Sequence, residues 1–340
     1  MTIKTPHIAI IGSLNIDFAT TTTQFPSPGE TVTATSLTIN AGGKGGNQAL
    51  AAGRSSFTTK QTQNGLVRLI GAVGASCMYW PELMEPVFQS SAVVTKDVTL
   101  CPGVQTGAAN IIVEESGENR ILVVPGANHA DVMNVEWILS RVMQTEVPQV
   151  VVLQGEIPRS TTLGLLEYFN ERAQSPRPFV VFNPAPVFPD GIPLEFLMGT
   201  AVLIMNETEA VQMASCIGKQ PVSSLHPEQF AQMFHELARV QIVVITLGAK
   251  GVYFSTKSGR VGFVDGVKVD AVRDTTAAGD TFVGFFGMSF TRFVASQEGA
   301  ALEAFDDKIE EVVKVCNAAA ATCVQREGAM KSIPFAYELD

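Results

Sequence analysis

Charge is scarce in this chain of 340 residues: Asp, Glu, Lys and Arg make up 16% of it. With 23 basic against 33 acidic residues the formal net charge is −10, too acidic to assemble the broad basic face that a nucleic acid requires. So few charges also exclude a disordered or coiled-coil chain, and 46% hydrophobic residues are ample for a large core. A nucleoside triphosphate remains admissible, because backbone amides and a metal supply positive charge locally. Cysteine is thin as well. Cys77, Cys101, Cys216, Cys316 and Cys323 are odd in number and form no C-x-x-C pair, which points to reduced thiols of an intracellular protein and away from zinc. His7, His129, His226 and His235 have no metal-ligand spacing and are expected to be structural or exposed. No apolar run approaches the roughly 20 residues of a membrane span. Met1–Pro6 is short and polar, so no signal peptide, no membrane partner and a cytoplasmic location are expected.

What is present is a rhythm. Apolar runs of strand length at His7–Ile11, Arg68–Ala72, Gln149–Leu153, Pro178–Phe182, Ala201–Met205 and Ile242–Thr246 read as buried parallel strands. Helical patterns near Gly45–Ala52, Val135–Gln144, Thr161–Ala173, Glu207–Cys216 and Pro227–Ala238 fall between them. This alternation predicts an α/β fold with a doubly wound, mostly parallel central sheet covered by helices on both faces. A strand pair near Gly251–Ser255 and Arg260–Val264 and two long helices near Gly279–Ala295 and Asp307–Gln325 complete it. The expectation is one α/β domain over residues 1–340, with lid strands from about 17–40 and 104–125. Those lid segments, Thr31–Ile39 and a hairpin of Thr106–Glu114 with Arg120–Val124 around Ser116-Gly117-Glu118-Asn119, read as antiparallel strands outside the core. Their exposed edges invite cover, often by pairing in a dimer. Ser55–Gly65 reads as a lengthened surface loop without chemistry.

The chemistry concentrates at Asp274-Thr275-Thr276-Ala277-Ala278-Gly279-Asp280, followed by an apolar run from Thr281 to Phe290. Small residues let the backbone approach a ligand, a helix start leaves N–H groups unpaired, and Asp280 stands at the junction. The stretch predicts the phosphotransfer centre of a small-molecule kinase. Asn15 and Asp17 follow the first strand, where a polyol would find donors and acceptors, although a turn with a helix cap explains them equally. Asn40-Ala41-Gly42-Gly43-Lys44-Gly45-Gly46-Asn47-Gln48-Ala49 is a glycine-rich loop with an alanine-rich helix beginning at Asn47; a tight turn is the plain alternative. It lacks the Lys-Ser/Thr ending of a Walker A loop and the spacing of a dinucleotide fingerprint. Glu156, Asn183-Pro184-Ala185-Pro186, Asn206-Glu207-Thr208-Glu209 and Thr246-Leu247-Gly248-Ala249-Lys250-Gly251 each follow a strand. A cap by Asn206 with Glu209 accounts for part of the third, and water-mediated magnesium binding is open to its acids.

In this order, G-S-L-N-I-D, P-S-P-G-E-T, N-A-G-G-K-G-G-N-Q-A, N-P-A-P, N-E-T-E, T-L-G-A-K-G and D-T-T-A-A-G-D resemble the ribokinase (PfkB) family of carbohydrate kinases from about His7 to Pro334. The glycine-loop and N-E-T-E forms are more similar to the branch acting on ribose than to those acting on adenosine or fructose. The resemblance implies that Asn15, Asp17, Gly43, Lys44, Gly45, Gly46, Asn47 and Glu156 hold the sugar. It implies that Asn206, Thr246, Leu247, Gly248, Ala249, Lys250, Gly251 and Asn317 line an ATP site, with Ala277, Ala278 and Gly279 as anion hole. Asp280 is implied as base, and Glu209 as organiser of magnesium through water. It further implies a potassium site at Asp274, Thr276, Cys323, Arg326, Gly328 and Ser332, Arg326 giving its carbonyl, and a homodimer joined through the lid sheets. A kinase of another sugar or a nucleoside, and a catalytically silent sugar-binding protein, are the alternatives. Two departures stand out. Val73-Gly74-Ala75-Ser76-Cys77-Met78-Tyr79 lacks the acid and the last glycine of the family's V-G-x-D-x-x-G, and Ala277 stands where many relatives have glycine.

Overall fold

The structure, a computed structural model, describes residues 4–116, 118–144, 146–171, 177–218, 226–297 and 301–339. Its strands, in chain order, are β1 (His7–Ile11), β2 (Asn15–Thr22), β3 (Ser36–Gly42), β4 (Leu66–Gly74), β5 (Val93–Cys101), β6 (Gly107–Glu114), β7 (Asn119–Val124), β8 (Val150–Leu153), β9 (Phe179–Phe182), β10 (Val202–Asn206), β11 (Ile242–Thr246), β12 (Gly251–Thr256) and β13 (Val261–Asp265). The helices that matter below are α1 (Lys44–Ser55), α2 (Glu85–Ser90), α3 (Val135–Met143), α4 (Arg159–Asn170), α5 (Leu194–Leu197), α6 (Glu207–Gly218), α7 (Pro227–Ala238), α8 (Ala278–Ser296), α9 (Ile309–Cys323) and α10 (Ala329–Ser332).

The strands form two sheets. The larger runs β13-β12-β11-β10-β9-β8-β1-β4-β5, parallel throughout except for β12 and β13 at one edge. Residues alternate between its faces, so Ile8, Ile10, Val150 and Val152 pack with α1, α8 and α9, while Ala9, Ile11, Val151 and Leu153 pack with α3, α4, α6 and α7. Both faces are covered, which is why these strands are continuous Val/Ile runs. Along the chain the sheet grows from β1 to β4 and β5, then resumes at β8 on the other side of β1. That reversal places a crevice beyond the carboxyl ends of β1 and β8, where open α/β sheets take their ligands.

The smaller sheet runs β3-β2-β6-β7. Its first lid strand begins at Asn15, earlier than expected, and the second segment pairs from Ser36, leaving residues 31–35 outside any strand. The antiparallel expectation needs a further correction: β2 pairs with β6 in parallel, because the connection between them passes through the main sheet by β4 and β5. β5 itself carries no apolar run. Lys96 and Asp97 interrupt it, and Asp97 is held by the buried guanidinium of Arg68 at 2.7 Å across a register shift. The helix expected to end at Ala173 is described to Asn170, and Ala173, Gly117 and Met1–Ile3 lie outside the described residues. No helix among the described residues is long and apolar enough to cross a membrane.

Candidate active site

Asp280 lies in the first turn of α8 and is 6% exposed. Its Oδ2 accepts from Asn47 Nδ2 and its Oδ1 from Gln48 Nε2, each at 2.9 Å. Both donors sit on α1, so the carboxylate depends on how closely α1 and α8 approach. Gly284 settles that: a Cβ there would fall 2.4 Å from Ala51 Cβ and 2.6 Å from Gln48 O. The Gln48 amide is itself held, donating to Asn183 Oδ1 at 3.0 Å and accepting from Gln154 Nε2 at 2.8 Å. Asn183 Nδ2 donates to Ile204 O at 2.9 Å. A buried chain of amides from the ends of β8 and β9 therefore runs through Gln48 to one oxygen of Asp280, while Asn47 holds the other, with each bond strengthened by its dry setting.

Above this carboxylate the backbone is open. Ala277, at φ 62, turns the chain into α8 through the left-handed region, a strained conformation for a residue with a Cβ. The Ala278 amide is drawn back to Thr275 O at 3.3 Å, and the Thr281 amide bonds Ala277 O at 2.8 Å. Between them the Gly279 and Asp280 amides have no acceptor among the described residues, and a Cβ on Gly279 would meet nothing within 4 Å. An anion hole at this helix start would rest on the Gly279 and Asp280 amides more than on that of Ala278. A cavity of about 200 Å³ opens in front of it, lined by Lys44, Asn206, Glu209, Thr246, Gly279 and Asp280 among others.

On the other side lie the residues expected to hold a sugar. Helix α1 starts at Lys44 and not at Asn47, because Gly45 lets its first turn close against the end of β1, where a Cβ would meet Gly12 C at 2.4 Å. Glu156 Oε2 accepts from the Lys44 amide at 2.9 Å and from Ser13 Oγ at 2.5 Å, a carboxylate set on a helix N-terminus that favours it. Asp17 is buried, and its carboxyl is pushed up to about 7 by burial first, then by Glu156 and Asp280. Three carboxyls therefore converge. Burial pulls the Lys44 ammonium down, but Asp280, Glu156 and Glu209 outweigh it and leave it above its ordinary value. Asn15 Oδ1 accepts from Asn128 Nδ2 at 2.7 Å. Asn47 Oδ1 is buried with no partner among the described residues, an acceptor suited to a ligand hydroxyl.

The nucleotide-side residues are less gathered. Asn206 and Thr246 reach the cavity, whereas Leu247, Gly248, Ala249, Lys250 and Gly251 do not line it. Gly248–Lys250 form an exposed 3-10 turn, and Lys250 pairs with Glu207 at 3.3 Å. Asn317 is buried on α9 and donates to Asp265 O at 2.8 Å. Asn206 and Glu209 form the expected capping pair: Glu209 Oε2 and Oε1 accept from Asn206 N and Nδ2, each at 2.9 Å, and Glu209 N donates to Asn206 Oδ1 at 2.8 Å. With both oxygens engaged, Glu209 suits a metal approached through water; its carboxyl is raised, chiefly by burial.

The residues expected at a cation site do meet. Asp274 Oδ1 and Oδ2 accept from the Thr276 and Gly328 amides at 2.8 and 3.0 Å. Cys323 Sγ lies 3.6 Å from Thr276 O and 3.0 Å from Ser332 Oγ. Arg326 turns its head to Glu338 at 3.2 Å, which leaves only its carbonyl for such a site. A carboxylate, a hydroxyl and backbone carbonyls are hard oxygen donors and fit an alkali cation. The altered Val73–Tyr79 segment ends β4 and leads into a π-turn at Trp80–Met84, with the Tyr79 ring edge-on to Phe18 of the lid at 6.0 Å.

Gln48, Gln154, Asn183 and Asn128 were not among the expected site residues. Gln48 and Asn183 stand inside the motifs N-Q-A and N-P-A-P, the signal that would have found them, and Gln154 and Asn128 carry none.

The family of pfkB carbohydrate kinases matches this chain over residues 5–336. A ribokinase from Schizosaccharomyces pombe is 32% identical over 338 residues, covering 98% of this chain and 96% of that protein. The crystal structure of a ribokinase from Thermotoga maritima superimposes with a TM-score of 0.78 at 32% identity, over 98% of this chain and 97% of that chain. The ribokinase of Arabidopsis thaliana, complexed with ribose and ATP, gives a TM-score of 0.77 at 26% identity over 99% and 98%. With the crevice, the bonded carboxylate and the open helix start already in view, the full-length match shows that this chain belongs to the pfkB family of carbohydrate kinases.

Proposed function

We propose that the protein transfers the γ-phosphoryl group of ATP to the primary 5-hydroxyl of D-ribose, giving D-ribose 5-phosphate and ADP. What carries this reading is Asp280: a buried carboxylate with both oxygens tied to amides, beneath two unpaired backbone N–H groups and beside the cavity. Asn15, Asp17, Asn47 and Glu156 would take the sugar hydroxyls, and Asp280 would receive the proton of the attacking hydroxyl as its oxygen bonds phosphorus. The bond from phosphorus to the departing ADP breaks in the same displacement. Its transition state is loose, so alignment and charge neutralisation dominate, and the Gly279 and Asp280 amides with the Lys44 ammonium supply them. Asn206, Thr246, the Leu247–Gly251 turn and Asn317 would bind the nucleotide.

Magnesium, held through water near Glu209, would neutralise phosphate charge. Potassium, held by Asp274, Thr276, Cys323, Arg326, Gly328 and Ser332, would order the segment leading into Ala277. The lid would close over the sugar and keep water from the phosphoryl group. Its strand β7 exposes Ile121, Leu122, Val123 and Val124 by 46–69%, an uncovered apolar run suited to a second copy. A Leu122→Glu variant should sediment as a monomer where the parent is a dimer, and an unchanged mass for both would end the dimer reading.

The deciding assay measures ADP release over ribose, 2-deoxyribose, fructose and adenosine, with potassium or a bulky organic cation. Turnover should be fastest with ribose, rise several-fold with potassium, and be low without sugar. Preference for another acceptor would reassign the substrate, and an equal rate in both salts would remove the cation role.

A further inference from the structure

Asn128 belongs to none of the motifs above. It lies in the short turn Gly126–His129 after β7 and is 1% exposed. Its Oδ1 accepts from Leu14 N at 2.8 Å, and its Nδ2 donates to Leu14 O at 3.2 Å and to Asn15 Oδ1 at 2.7 Å. The Leu14 peptide group therefore decides which end of this amide is which. A flipped Asn128 would set donor against donor and carbonyl against carbonyl. Once Asn128 is locked, it offers a proton to Asn15, so the oxygen of Asn15 must face it and the Asn15 Nδ2 is left over. That Nδ2 has no partner among the described residues and is not sealed from solvent. Gly107, paired with Asn15 across β2 and β6, makes room for the bond: a Cβ there would stand 2.3 Å from both Asn128 Nδ2 and Asn15 Oδ1.

Asp17 lies two residues along β2, on the same face as Asn15, and its carboxyl makes no hydrogen bond among the described residues. A donor and an acceptor thus stand side by side. We propose that Asn128 is a positioning residue that sets the polarity of the sugar site, holding Asn15 as a hydrogen-bond donor beside the acceptor Asp17. The pair then selects a vicinal diol, one hydroxyl accepting from Asn15 and its neighbour donating to Asp17. This rests on the reading of Asn15 and Asp17 as sugar ligands. A sugar lacking one of these hydroxyls leaves a buried polar group unpaired, which is the strongest form of rejection available to a small site.

Asn128→Asp tests it. The new side chain keeps the shape and still accepts from Leu14, but it has no proton for Asn15, whose amide is then driven to turn its NH2 toward residue 128. The sugar KM should rise roughly 10–100-fold while kcat and the ATP KM move little, and the preference for ribose over 2-deoxyribose should shrink. In an Asn15→Ala background the same substitution should add nothing. If Asn15→Ala raises the sugar KM but Asn128→Asp does not, or if the two effects add, Asn128 does not act through Asn15 and the proposal is overturned while the sugar site stands. If Asn15→Ala itself leaves the KM unchanged, the assignment of Asn15 to the sugar has failed, and the proposal with it. Should Asn128→Asp not fold, Asn15→Asp keeps the bond from Asn128 and replaces the donor by a carboxyl oxygen. An unchanged sugar KM in that variant also overturns the proposal.

Discussion

The two halves of this site are built differently, although they meet at one carboxylate. On the sugar-facing side, Asn15, Asp17, Asn47 and Asp280 are all 9% exposed or less, and Asn15 and Asp280 are tied to amides from other elements. On the nucleotide-facing side, Asn206, Gly248, Ala249 and Lys250 are exposed; Asn206 is bonded within its own cap, and the Lys250 side chain reaches only the surface carboxylate of Glu207. The first half is buried before any ligand arrives, so its selectivity lies in side-chain chemistry. The second presents backbone and surface, which suits a ligand recognised by its phosphates and a flat base.

The largest test of this contrast is Asp280→Asn. Shape and packing are nearly kept, but the group can no longer take a proton. Turnover should fall about 10³-fold, in the range of general-base losses, while calorimetry still detects sugar binding. A rate within a few-fold of the parent would remove Asp280 from its role. Next in size is Gln48→Ala, which strips a partner from Asp280, Asn183 and Gln154 together. Unpaired buried groups cost ~1–3 kcal/mol, so kcat should drop roughly 10–100-fold with the ATP KM unchanged. An equal loss in the ATP KM would mean that the two halves are not separable.

A smaller, pH-dependent effect comes from Asp17. Its carboxyl stands at about 7 in the folded protein, against an ordinary value of 3.8. The unfolded chain then binds fewer protons between those values, so this group's contribution to stability is present at low pH and is lost as pH rises through about 7. Sugar binding should run the opposite way, because a hydroxyl donates best to the carboxylate. The kcat/KM for sugar should therefore rise about 10-fold between pH 6 and 8, and the rise should vanish in Asp17→Asn. A flat profile in the parent would show that Asp17 is not the acceptor.

The contrast also explains what could be read from the residues alone. The stretch Asp274–Asp280, the Val/Ile strands and the glycine loop are local: small residues, one acid and apolar runs announce themselves by spacing. The capping pair of Asn206 and Glu209 was legible for the same reason. Gln154 and Asn128 were not, since an amide has no chemistry until tertiary structure supplies its partner, and those partners lie 106 and 114 residues away. β5 was missed because a buried ion pair replaced the expected apolar run, and the parallel pairing of β2 with β6 depends on a crossover through the other sheet.

The smallest expected effect is the most discriminating for the nucleotide half. Lys250 carries the only charge in the Thr246–Gly251 turn, yet its side chain is 73% exposed and its pair with Glu207 is a surface one. Such pairs are worth ~0–1 kcal/mol. Lys250→Ala should therefore leave the melting temperature and sugar KM unchanged and move the ATP KM by less than about 3-fold. Gly251→Ala changes one methyl group in the same turn, but φ is 124 there and the new Cβ would fall 2.1 Å from Val264 O. It should raise the ATP KM well beyond the lysine variant without altering sugar binding. If removing the charge does more than displacing the backbone, the nucleotide is read by side chains after all, and the difference between the two halves disappears.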